Sequence, residues 1–210
     1  PASHFAHITD RGKQIEKYWR LEEAPPIRFA SDDEYVEGFL EQFRRAVRVR
    51  LNSIRPVAST LSAGLDSSSV TALAAQELKK RNQPLVAYTS VPLYPCQHLF
   101  PHRITDEWPL AHEVAKLYDN IEHVPINAEE TTILDGIKKS LEITGEPQHA
   151  AINMFWIISM LQNAKARDFG VLLIGHLGNG SFSWNGGTNY VYCLFCKNQW
   201  RKGWQALHKY

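Results

Sequence analysis

VASTLSAGLDSSSVTALAAQELKKR, residues 57–81, joins a short apolar run to an amphipathic segment through a turn rich in serine and glycine. The run from Pro56 to Leu61 is partly β-branched and is bounded by Pro56 and Gly64, the pattern of a buried strand. From Ser68 onward, Val70, Leu73, Ala74, Glu77 and Leu78 follow helical spacing, and Lys79, Lys80 and Arg81 stand where a helix end tolerates positive charge. Residues 62–69 therefore form a strand-to-helix turn. Its backbone amides open a helix N-terminus and its hydroxyls add donors, a combination that binds anions and phosphate above all. No Gly-Lys-Ser/Thr closes it as in a Walker loop, and no Gly-x-Ser-x-Gly makes it a nucleophile elbow. Asp66 would repel a phosphate unless a magnesium ion lay between the two.

Working outward, Ser31-Asp32-Asp33-Glu34 has capping-box spacing and starts a helix with Tyr35, Val36, Phe39, Leu40, Phe43 and Val47 on one face. Residues before it, with Pro1, Gly12, Pro25 and Pro26, read as an irregular lead-in over 1–30. Leu85 to Val91 is a second strand, and Thr105 to Pro109 starts a helix carrying Trp108, Ala111, Ala115 and Tyr118. Ile121 to Ile126 is a third strand despite Pro125, and Asn127 with Glu130 is the expected cap of the helix that follows. A long helix over Ala150 to Arg167 precedes a fourth strand, Val171 to Gly175. Alternating strands and helices predict an α/β fold, a parallel sheet with helices on both faces. The nucleotide-type domain is expected over 31–187, and 188–210 reads as the start of a C-terminal helical region that looks truncated.

With 210 residues and 44% hydrophobic content the chain can bury a real core. Its 23 basic and 22 acidic residues nearly balance, which argues against a nucleic-acid or membrane partner. No apolar stretch approaches membrane-spanning length, no cleavable signal opens the sequence, and three cysteines make no disulfide framework, so a cytoplasmic setting is expected. Cys193 and Cys196 have the spacing of half a zinc site, but with no second pair they read as ordinary thiols, and the nine histidines show no ligand set.

Ligands of such sheets bind at the carboxyl ends of strands, near the point where strand order reverses. Two strand ends are chemically loaded. One is the turn at 62–69. The other is GHLGNGSFSWNGG, residues 175–187, whose glycines suit close approach of backbone to a ligand.

Ser62-Ala63-Gly64-Leu65-Asp66-Ser67-Ser68 resembles the pyrophosphate loop of the ATP pyrophosphatases, the adenine nucleotide alpha hydrolase-like PP-loop enzymes. The preceding Leu61 and the serines behind it resemble the synthetase domain of glutamine-dependent asparagine synthetases. Tyr18-Trp19 is similar to that family's lead-in, Asp106-Glu107-Trp108-Pro109-Leu110-Ala111 to its Asp-Glu-x-x-x-Ala helix, and residues 171–175 to its second nucleotide-binding strand. The resemblance implies an ATP-dependent, amide-forming ligase that activates a carboxylate, aspartate first, as an acyl adenylate and passes it to ammonia or another amine. It implies that Ser62, Gly64, Asp66 and Ser67 hold pyrophosphate and its Mg2+, that Leu61 and Ser90 flank the adenosine, and that Gly175 contacts the nucleotide or adenylate. A glutaminase domain or further helices of a longer chain are the implied partners.

Departures qualify that picture. The family's acidic Gly-x-Gly-x-Asp-Glu segment corresponds to Gly175-His176-Leu177-Gly178-Asn179-Gly180, so Asn179 offers the metal a neutral oxygen. His176 stands where the family often has a glutamate, and is the expected catalytic base or anion stabiliser, or else a loop residue. These changes lean towards a relative such as the lasso-peptide cyclases or β-lactam synthetases, or towards a nucleotide-binding module without catalysis. Other ATP pyrophosphatases, tRNA-modifying or NAD-forming, fit the near-neutral charge and the Leu-Ser-Ala-Gly-Leu-Asp-Ser-Ser string less well.

Overall fold

The computed structural model describes residues 2–183 and 187–208. The chain divides into two compact units, Pro1–Gln42 and Phe43–Tyr210. In the first unit, β1 (His4–Thr9) and β2 (Gly12–Lys17) form an antiparallel hairpin in which Thr9 faces Gly12 across a two-residue turn. This corrects the expected irregular lead-in. Almost every hairpin side chain is exposed, so there is no buried face to impose the alternation by which a strand is read. A 3-10 turn (Leu21–Glu23) follows, and α1 (Asp32–Arg50) begins at Ser31, whose Oγ accepts the Glu34 N–H at 3.3 Å.

The second unit is built on β3 (Val57–Thr60), α2 (Leu65–Lys79), β4 (Leu85–Ser90), α3 (Trp108–Lys116), β5 (Ile121–Ile126), α4 (Ile133–Thr144), α5 (Met154–Ala166) and β6 (Val171–Leu173). It ends in α6 (Gly187–Cys196) and α7 (Trp200–Leu207). The four strands pair in parallel in the order β5-β4-β3-β6, with Ala58 opposite both Val86 and Leu172. Strands thus step outward from β3 to β5, and the chain then returns to add β6 on the far side of β3. The order reverses between β3 and β6, which locates the ligand crevice of a parallel sheet at their carboxyl ends.

Helices cover both faces. Ala58, Val86 and Tyr88 pack with Met160 and Ala164 of α5 on one face, and Leu61 and Ala87 with Ala111 and Ala115 of α3 on the other. Strand β4, buried almost throughout, separates the two layers. The Thr71 hydroxyl, buried in α2, lies 3.0 Å from Ser59 Oγ and 3.1 Å from the Thr60 carbonyl, tying α2 to β3. Pro125 is accommodated because β5 is an edge strand. The cap of α4 is not Asn127 with Glu130. Thr132 and Asp135 form a reciprocal capping box, while Asn127 Oδ1 accepts the Glu129 N–H in a local turn. Strand β6 stops at Leu173, two residues short of the expected end. Among the described residues, no helix is long and apolar enough to cross a membrane.

Candidate active site

The turn after β3 is held by its own hydroxyls. Ser67 Oγ accepts the Ser62 N–H at 3.0 Å and lies 2.6 Å from Ser62 Oγ, which accepts the Gly64 N–H at 3.1 Å. Ser68 Oγ donates to the Ser62 carbonyl at 3.0 Å. These bonds close the loop on itself and aim the start of α2 at the strand ends. Gly64 is the N-cap of α2, with φ −80° and ψ 150°, and brings no side chain to satisfy the first-turn amides. An uncapped helix N-terminus leaves donors and a positive partial charge for an incoming anion.

Asp66 lies in that first turn. Its Oδ1 is buried and has no hydrogen-bond partner, an acceptor that a cation would satisfy. The opposite oxygen is covered by the turn after β6, because a Cβ added to Gly178 would strike Asp66 Oδ2 and Cγ. Gly175 is equally confined, since its Cβ would come within 2.5 Å of the Ser67 nitrogen. The second glycine-rich segment therefore lies backbone-on against the first. Trp184, Asn185 and Gly186 of that segment lie outside the described residues.

A cavity of about 1160 Å³ opens at this junction. All the residues singled out in the sequence line it: Leu61, Ser62, Gly64, Asp66, Ser67 and Ser90, with Gly175, His176 and Asn179 across from them. Leu61 is fixed at the strand end, its N–H donating to the Tyr88 carbonyl at 2.8 Å and its carbonyl accepting from Thr89 Oγ1 at 2.6 Å. His176 is exposed at the mouth. The exposed Asn179 side chain accepts from Ser183 Oγ at 3.2 Å. For magnesium the residues present fit in part. Asp66 would supply one anionic oxygen and Asn179 one neutral oxygen, and no group of three or more His, Cys, Asp or Glu side chains arranged for a metal occurs among the described residues.

Glu107 is among the lining residues not assigned to the site from sequence. Glu107 Oε2 accepts the Ala63 N–H at 3.1 Å, so a carboxylate from the start of α3 engages the anion-binding turn. The signal was the Asp106-Glu107 pair ahead of Trp108-Pro109. Asp106 Oδ1 accepts the Trp108 N–H at 2.9 Å, which leaves Glu107 to reach the turn. Trp108 and His112 of α3 stack with His123 of β5, with Trp108 and His123 centroids 3.9 Å apart. His123 Nε2 is 2.7 Å from Thr89 Oγ1, and its Nδ1 is 3.1 Å from His112 Nδ1. Since the Thr89 hydroxyl donates to Leu61, His123 donates to Thr89 and accepts from His112, a neutral arrangement. Desolvation, with the His112 charge second, holds His123 down at a pKa of about 4. Cys193 and Cys196 are exposed on α6, and no disulfide involves Cys96, Cys193 or Cys196.

An uncapped helix N-terminus, a serine-braced turn and a facing glycine-rich turn at a parallel sheet's switch point define a phosphate-binding α/β domain. The asparagine synthase family profile matches residues 38–207, and the chain belongs to that family. Amidase chry2 of Gibberella zeae is 45% identical over 67 residues, 30% of this chain, and the chain spans about 10% of that relative's length. Among solved structures, an NH3-dependent NAD synthetase from Campylobacter jejuni, in complex with a nitrate ion, is similar with a TM-score of 0.41 and 17% identity. That likeness covers 64% of this chain and 54% of that one. A universal stress protein in complex with cAMP has a TM-score of 0.28 at 15% identity, over 58% and 98% of the two chains.

Proposed function

We propose that this chain is the ATP-using domain of an amide-forming ligase, extending over 31–187 with helices that follow. The observation that carries the reading is the joining of the uncapped α2 turn and the Gly175–Asn179 turn around one cavity at the switch point. A substrate carboxylate oxygen attacks the α-phosphorus of ATP, the α–β bridging bond breaks, and pyrophosphate leaves towards Ser62, Gly64 and Ser67. The amine nitrogen then attacks the acyl carbon, AMP departs with the bonding electrons, and the nitrogen loses a proton. Donors fixed in advance at the turn stabilise the charge that grows on the leaving pyrophosphate. Leu61 and Ser90 flank the adenosine, and His176 at the mouth accepts the proton or steadies the acid. Mg2+, held by Asp66 and Asn179, would supply charge neutralisation at the phosphates.

A second reading is a nucleotide-binding module without chemistry, favoured by Asn179 in place of a carboxylate and by its engagement with Ser183. Pyrophosphate release from ATP and magnesium, measured with and without a carboxylate and ammonia, separates the two. Acid-dependent release supports the ligase. Nucleotide binding without release under any acid leaves the module.

A further inference from the structure

The cavity has two ends of different chemistry. The turn at 62–67 and the Gly175–Asn179 turn make the polar end. One apolar stretch of the remaining wall comes from α5 and from β6 with the residue after it, where Phe155, Trp156, Met160, Leu161, Leu172 and Ile174 face the space, and the rest includes the end of β4 and residues 91–93 and 104–105. This wall is fixed. Trp156 packs on the core cluster that holds Met160, and the backbone of α4 at Gly136 closes directly on the backbone of Phe155, with no room for a Cβ. Among the described lining residues the only carboxylates are Asp66 and Glu107, and there is no lysine or arginine.

Aspartate, the acid implied by the family resemblance, carries a second carboxylate besides the reacting one. In this cavity that group would lose water with no lysine or arginine on the described lining to pair it, and would do so in the field of two acidic side chains. An acid with a single carboxylate and an apolar body avoids both costs and gains from burying its hydrocarbon surface against α5. We infer that the acid accepted here is an apolar monocarboxylate, with its carboxylate at the Ser62–Gly175 end and its body against Phe155, Leu161 and Ile174. The inference rests on the ligase reading above for the identity of the reacting group, and on the cavity wall for the class of acid.

The test titrates carboxylates calorimetrically into the full chain held with magnesium and the α,β-methylene analogue of ATP, which cannot release pyrophosphate. Phenylacetate and hexanoate are expected to bind at least tenfold more tightly than aspartate. Aspartate binding as tightly as either apolar acid overturns the inference, and so does the absence of binding by every acid. Ile174→Arg, at a position 55% exposed, and Leu161→Lys, at one 46% exposed, introduce a cation without emptying the core. Either is expected to shrink the preference at least fivefold by improving aspartate, and an unchanged preference in both would show that the acid does not lie on this wall. Pyrophosphate release with the preferred acid and ammonia is read separately. Tenfold preference in binding without release removes the ligase reading and leaves the apolar acid site standing.

Discussion

The Glu107 carboxylate accepts the Ala63 N–H at 3.1 Å, so a side-chain anion engages the same turn whose free donors suit a phosphate. An incoming pyrophosphate must either displace that carboxylate or tolerate its charge. Glu107→Gln keeps the size of the side chain and removes the charge. At about 4 Å two unit charges in water interact by roughly 1 kcal/mol, so magnesium-free pyrophosphate should bind the variant several-fold more tightly, less so at high salt. Calorimetry at two salt concentrations checks this, and weaker binding by the variant would give Glu107 an attractive role instead.

Asp66 Oδ1 is buried and unpartnered, and on the proposed reading this carboxylate is the anionic oxygen donor to magnesium. Asp66→Asn keeps the shape and should abolish the magnesium dependence of nucleotide binding. The fold should change little, because a first-turn aspartate contributes only about 0.3–1 kcal/mol through the helix dipole. Unchanged magnesium–ATP affinity in the variant would remove Asp66 from the metal site.

Asn179→Asp places a second negative oxygen on the lining of the cavity that Asp66 also lines. A carboxylate gained at a hard-cation site is expected to tighten magnesium by on the order of 1 kcal/mol, several-fold in affinity. A magnesium titration at saturating ATP, with Asn179→Ala as control, reads the effect. Equal behaviour of the Asp and Ala variants would place the metal away from this turn.

The strand-turn-helix at 57–79 was legible because Pro56 and Gly64 punctuate it and because both flanking runs are apolar on the side that becomes core. The second strand end was legible for a similar reason, since glycines and polar residues follow an apolar run directly. Elsewhere the sequence offered competing signals. Asn127-x-x-Glu130 and Thr132-x-x-Asp135 are alike as caps, and the backbone decides between them: Ala128 at φ 52° turns the chain before any helix can start at Asn127. Glu107 escaped assignment because its partner is a backbone amide 44 residues away. Only the packing of α3 beside α2 and β4 brings the two together. The hairpin at residues 4–17 lacks a buried face, and so lacked the periodicity that reveals one.

Gly175→Ala tests the backbone contact between the two turns. A methyl group within 2.5 Å of the Ser67 nitrogen meets main chain, which cannot rotate away. Overpacking of this kind costs about 1–3 kcal/mol, and ATP affinity should fall with it because the Ser62–Ser67 turn must shift. Urea denaturation and nucleotide titration of the same sample provide the check; full stability and affinity together would mean that the turns separate freely.

The histidine stack predicts a dependence on acid. His123 has a folded pKa of about 4 against an ordinary 6.5, so it stays neutral while the unfolded chain takes up a proton. Its effect on stability is therefore absent above pH 6.5 and grows as the pH falls from 6.5 towards 4, where the unfolded state binds more protons. Allowing for partial solvent access, the loss should be on the order of 1–2 kcal/mol across that window. His123→Gln should flatten the slope of urea midpoint against pH, and an unaltered slope would rule the residue out as its source.

The contacts of Gly175 and Gly178 set a fixed gauge for the phosphate end of the crevice. Main chain at Gly175 meets the main chain of Asp66 and Ser67, and main chain at Gly178 meets the Asp66 carboxylate, so the spacing owes nothing to the side chains that line the α5 wall. On the ligase reading proposed above, substitutions at Phe155, Leu161 or Ile174 would recut the space for the acid while the turn proposed for the phosphates keeps its dimensions. A domain built in this way would, on that reading, change its acid by small steps along one wall and keep the proposed reaction at each step.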